Sequence, residues 1–148
     1  MEFQPDWRHF ARVMENKRPA RLPVYEHNIS TEVMERALDT QFADLLKGSA
    51  RDCEEYFKQY CRFFAKMSYD VVSFEVSSIG AIPGPNALSG GRGPIQNRTD
   101  FQAFPWHEIP QRYWETARPQ FDALRAVLPP VMKVVGGVGN GVFEFAEG

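Results

Sequence analysis

The chain has 148 residues, of which 17 are Lys or Arg and 19 are Asp or Glu, giving a formal net charge of −2. That balance offers no basic surface for nucleic acid or an anionic membrane, and an aromatic content of 14% argues for a packed interior rather than disorder. No stretch approaches the roughly 18 apolar residues of a membrane span, and the opening Met1-Glu2-Phe3-Gln4-Pro5-Asp6 lacks the basic-then-apolar pattern of a signal peptide, so the expected compartment is the cytoplasm.

Pro5-Asp6 opens a first helix in which Trp7, Phe10, Val13 and Met14 recur at helical spacing, and Asn16-Lys17-Arg18-Pro19 ends it. The basic residues Lys17, Arg18 and Arg21 read first as a solvated linker and second as an anion patch. The run from Arg21 to His27 then reads as a first strand, with Leu22 and Val24 directed at helices and Tyr25 and His27 directed inward. Ser30 or Thr31 can cap a helix through Met34 and Leu38, followed by a second segment carrying Leu45 and Leu46. From Arg51 to Met67 the spacing predicts a stronger helix, its apolar stripe formed by Cys53, Tyr56, Phe57, Tyr60, Phe64 and Met67.

The two cysteines, Cys53 and Cys61, lie on that helix. Their Cα atoms would be about 12 Å apart at 1.5 Å per residue, beyond the reach of a disulfide. Neither sits in a Cys-x-x-Cys pair or beside a histidine at ligand spacing, so both read as buried structural thiols, and no metal site is expected within the chain.

A second strand follows from Asp70 to Val76, with Val72, Phe74 and Val76 suited to a helix layer and Ser73 and Glu75 left on the opposite face. The Gly- and Pro-rich stretch from Ser77 to about Pro105 reads as a long irregular connection, of the kind that forms lids and binding loops. Helix resumes by Ile109 and runs to about Leu128, with Pro119 expected to kink or restart it; Pro129-Pro130 stops it before a third strand, Val131 to Gly137. The tract Gly136-Gly137-Val138-Gly139-Asn140-Gly141 matches neither Gly-x-Gly-x-x-Gly nor a Walker motif. It reads as a tight strand-to-helix turn with room for substrate rather than a nucleotide loop.

Three strand-helix units in series point to an α/β fold, the N-terminal part of a (β/α)8 TIM barrel preceded by one helix. A complete barrel takes about 250 residues, so residues 1–148 are expected to be a single incomplete domain. The alternative is a small α/β domain closing on three or four parallel strands. An open parallel edge would favour self-association.

In such barrels the chemistry sits at the C-terminal ends of the strands, which makes His27 and Glu75 the candidate catalytic pair. Tyr25, Glu26, Asn140 and Glu144 would be secondary mouth residues, and Arg92 and Arg98 would lie on the long connection. Trp106 and His107, in Phe104-Pro105-Trp106-His107-Glu108, would cover a ligand and shuttle a proton. The plainer reading of that tract is an apolar start to the helix with Glu108 near its positive end. For His27 and Glu75 the plainer reading is a polar pair satisfying itself.

Taken in order, several tracts resemble the uroporphyrinogen decarboxylase superfamily, which includes the decarboxylase and cobalamin-linked methyltransferases. They are Lys17-Arg18-Pro19-Ala20-Arg21-Leu22-Pro23-Val24, Tyr69-Asp70-Val71-Val72, Phe104-Pro105-Trp106, and Met132-Lys133-Val134-Val135-Gly136-Gly137 with Gly141-Val142-Phe143-Glu144. The resemblance implies a barrel whose mouth takes either a tetrapyrrole or a methyl donor or acceptor. The decarboxylases carry an Arg-Gln-Ala-Gly-Arg tract after the first strand to hold substrate carboxylates, where this chain has Glu26-His27-Asn28-Ile29-Ser30. That departure favours the methyltransferase branch, with a small-molecule substrate and a corrinoid protein as partner. Under the decarboxylase alternative, Arg92 and Arg98 would bind the carboxylates. A third alternative is a truncated barrel that binds a partner without catalysis. The branch's zinc site uses a His-x-Cys pair and a further Cys in the second half of the barrel, and no such pair occurs here. Zinc and a corrinoid are accordingly expected only for a full-length enzyme.

Overall fold

A computed structural model describes residues 3–81 and 92–139. Among these residues the chain is mixed α/β: five α-helices and a parallel two-stranded sheet. The helices are α1 (Trp7–Met14), α2 (Thr31–Leu38), α3 (Ala50–Lys66), α4 (Arg98–Ala103) and α5 (Ile109–Val127), and the strands are β1 (Val72–Ser77) and β2 (Val134–Gly139). Two compact units divide it, Met1–Phe74 with Gln120–Gly136, and Glu75–Pro119 with Gly137–Gly148.

In the first unit two helix starts, those of α1 and α3, are capped by side chains, while Ser30 precedes α2 without a side-chain cap. Asp6 accepts from the Arg8 amide ahead of α1, and Ser49 and Asp52 form a reciprocal capping box ahead of α3. Each of the first three helices also ends the same way, on a left-handed residue: Asn16 (φ 56°), Asp39 (φ 52°) and Ser68 (φ 67°). The next amide in each case donates back five residues, Lys17 to Arg12, Thr40 to Glu35 and Tyr69 to Phe64. Glycine usually takes this position; here Asn16, Asp39 and Ser68 take it, and the stops still fall within a residue of where the sequence placed them, after Met14, Leu38 and Lys66. Between α2 and α3, the buried Glu35 carboxylate accepts from the Phe42 and Ala43 amides at 2.6 and 2.7 Å. This starts a 3-10 turn, Ala43–Lys47, where the spacing of Leu45 and Leu46 had suggested a helical segment.

The core of this unit is aromatic. Phe57 and Phe64 of α3 are fully buried, and Phe74 of β1 meets Phe57 edge-on at 4.9 Å and Phe121 of α5 at 5.4 Å. Tyr60 also packs against Phe74, and its hydroxyl donates to the Ser73 carbonyl at 2.8 Å, so a core polar group is satisfied by the strand backbone. Val72, Phe74 and Val76 are buried as the alternation predicts, while Glu75 is half-buried.

Two expectations fail here. Residues 21–27 form no strand: Leu22 is 82% exposed and Val24 49% exposed, so neither packs on a helix. A strand needs a hydrogen-bonded neighbour, which local alternation cannot supply, and Pro23 removes one ladder donor. Nor does Pro119 restart α5, which runs through it as one helix.

In β2 the glycines belong to the strand and not to a turn after it, since it spans Val134–Gly139. The Val72 amide donates to the Lys133 carbonyl, and the Ser78 amide to that of Gly139, so the register advances in parallel. A Cβ on Gly136 would lie 2.4 Å from the Phe74 carbonyl oxygen, whereas one on Gly137 would meet nothing within 4 Å. Gly136→Ala should therefore cost about 1–3 kcal/mol, the usual range for forced overpacking, while Gly137→Ala stays close to neutral. Urea melts of the two variants check this, and equal losses would show that backbone entropy rather than the Phe74 contact sets the requirement.

Candidate functional site

The segment Tyr25-Glu26-His27 lies in the first unit, exposed throughout. The Tyr25 hydroxyl and His27 Nδ1 are 3.4 Å apart, and the Tyr25 ring leans on Phe10 of α1 at 5.7 Å. Burial, and secondarily the negative charge of Glu26, push the Tyr69 hydroxyl above its usual range. An aromatic hydroxyl, an imidazole and a carboxylate thus share one short loop.

Glu75 belongs to the second unit, on β1. A Cβ built on Gly139 would lie 3.4 Å from both its Cβ and its Oε2, an ordinary contact distance, so β2 passes close beside this side chain. Tyr113 of α5 is 7% exposed, and burial followed by the charge of Glu75 raises its hydroxyl pKa. The Tyr113 phenol is thus within electrostatic reach of the Glu75 side chain. Ser78 completes this end of the strand, its hydroxyl donating to the Gly139 carbonyl at 3.0 Å. Sequence reasoning missed Tyr113. The available signal was an aromatic hydroxyl one turn into α5, the long helix downstream of a strand that carries a carboxylate in its C-terminal half.

Trp106 and His107 lie in a short 3-10 turn, Trp106–Glu108, just ahead of α5. The Trp106 indole donates to the Phe101 carbonyl at 3.0 Å and packs on Phe101 and Phe104, while His107 is exposed, 3.9 Å from Glu108. Glu108 itself pairs with Arg112 one turn into α5. Arg92 is exposed and donates to Gln96. Arg98 is exposed at the first turn of α4, a helix within the stretch read as irregular, which the Asn97 side chain caps through the Thr99 and Asp100 amides. Asn140 and Glu144 lie outside the described residues, as does the middle of the long connection, 82–91.

Cys53 and Cys61 are both buried on α3, as their spacing predicts. Burial pushes the Cys61 thiol up to about 12. Among the described residues, no three His, Cys, Asp or Glu side chains gather as metal ligands, and these thiols do not fit zinc, which binds thiolate. Because the fold holds the Cys61 proton more tightly than the unfolded chain does, its contribution is complete below the ordinary thiol value of 9.0 and is lost as pH rises toward about 12. The folded chain should accordingly leave Cys61 unmodified by a thiol reagent at pH 8 and expose it only in denaturant. Rapid native labelling of Cys61 would show that α3 opens locally.

No family model matches this chain, and no curated protein or solved structure is significantly similar to it. Among the described residues, no helix is long and apolar enough to cross a membrane.

Proposed function

We propose that this chain is the N-terminal part of a uroporphyrinogen-decarboxylase-like (β/α)8 barrel that transfers a methyl group with a corrinoid-carrying protein as partner. The observation that carries the reading is the setting of Glu75: a carboxylate in the C-terminal half of a parallel strand, close to a glycine of the paired strand and within electrostatic reach of the buried Tyr113. Strand ends of this kind are where barrel enzymes place reactive groups.

In this reading Glu75 accepts a proton from the methyl acceptor or orients it and Tyr113 donates a hydrogen bond, while His27, in the first unit, is a separate candidate proton-handling group. Tyr25 and Glu26 bind substrate beside His27. The corrinoid, when bound, supplies the methyl carrier. The acidic Glu26, in place of a guanidinium tract, disfavours a polycarboxylate substrate by repulsion, and the Arg92 guanidinium is already engaged with Gln96.

The test uses the protein in the form its cell makes, incubated with methylcobalamin and a panel of thiol and amine acceptors, with the methyl–cobalt absorbance followed in time. Acceptor-dependent loss of that absorbance is the expected result. Carbon dioxide release from uroporphyrinogen without demethylation would instead assign the decarboxylase branch.

A further inference from the structure

We propose that the ion pair between Arg21 and Asp70 is the anchor that positions the Tyr25-Glu26-His27 loop, with Asp70 and Arg21 acting as positioning residues. Asp70, two residues ahead of β1, is completely buried, and Arg21 reaches it with both terminal nitrogens while remaining 35% exposed itself. The same carboxylate accepts from the Asp6 amide at 2.7 Å. The second guanidinium nitrogen also donates to the Gln4 carbonyl at 3.0 Å, and the guanidinium carbon lies 4.4 Å over the Phe3 ring. One buried carboxylate therefore ties the extended N-terminal strap and the start of the loop to the same point of the strand.

The loop leaves directly from the anchored residue, so the ion pair fixes where it starts. From Leu22 to Asn28 it has no regular structure and every residue except Pro23 is exposed. The Tyr25 ring on Phe10 is a second hold, but its partner lies on α1, which itself follows the strap tied to Asp70. A bidentate guanidinium fixes direction as well as distance, which a lysine would not. The anchor's bearing on catalysis rests on the role proposed above for His27; the anchor itself does not.

Backbone 15N relaxation on this chain reads the anchor directly. In the wild type, order parameters over residues 22–28 should stand near about 0.85, and in Asp70→Asn they should fall below about 0.6, the range of flexible backbone, with α3 unchanged. Arg21→Gln/Asp70→Asn removes both charges, leaves no unpaired buried ion, and should give the same loop-specific loss should the single variant fail to fold. Arg21→Lys, which keeps the charge and loses the fork, should give an intermediate value. Loop order parameters that are low already in the wild type, that survive the double variant, or that fall only in step with α3 would overturn the proposal. A failed methyl-transfer assay would leave these relaxation results standing, and an unmoved loop would sink the anchor whatever the activity.

Discussion

Phe74→Ala should destabilise the first unit by about 3–5 kcal/mol, the scale of removing a buried phenylalanine. The ring is 7% exposed and sits where α3 and α5 meet β1, with centroids of Phe57, Tyr60 and Phe121 at 4.9, 5.8 and 5.4 Å. Three aromatic partners cannot collapse together into the space without leaving their rotamers, so much of the cavity would remain. Edge-on pairs add about 0.5–1.5 kcal/mol each beyond area burial, which places this residue at the upper end of the range. A loss that large is comparable with the whole stability of a small domain, and urea denaturation followed by far-ultraviolet dichroism should find the variant largely unfolded at 37 °C. Trp114→Ala serves as the control: its side chain is 52% exposed on α5, and its loss should stay within about 0.5 kcal/mol. A Phe74 loss near that of Trp114 would mean that the aromatic cluster repacks freely.

The parts of the fold legible in the sequence were those fixed by periodicity. The stripe Cys53, Tyr56, Phe57, Tyr60 and Phe64 gave α3 within one residue at either end, and strict alternation gave the buried face of β1. The parts that were not legible depend on partners far along the chain. Arg21 read as one of three basic residues in a solvated linker, yet it is held by Asp70, 49 positions away, and no local pattern encodes that. The residues after it alternate like a strand and pair with nothing in the ladder, because hydrogen-bond partners and not alternation make a strand. Glycines at 136, 137 and 139 looked like a turn, and only the carbonyl of Phe74 explains why one of them must lack a side chain. For the candidate site, the sequence identified Glu75 from its strand position. Tyr113 became visible only when α5 brought it within reach of that charge.

Glu75→Gln should lower the proposed methyl-transfer turnover by roughly a hundredfold or more, the scale of losing an acid–base group, with little change in melting temperature. The substitution keeps the size of a half-buried side chain and its contact with the Gly139 segment of β2, so packing is preserved while the negative charge and the proton acceptor are lost. Its effect on Tyr113 gives an independent reading: the charge of Glu75 helps hold that phenol protonated, so the variant should lower the pH at which Tyr113 ionises in an ultraviolet titration, though burial, the larger cause, keeps it above the ordinary value of 10.0. His27→Ala should cost a similar factor in turnover and even less stability, since the imidazole is exposed. The two losses also separate the rival readings of these residues. A structural polar group is expected to show the reverse order, with stability falling and turnover per folded molecule persisting. Should Glu75→Gln keep full turnover while Tyr113 still shifts, the carboxylate takes no part in the proton transfer and its role is confined to the electrostatics of Tyr113.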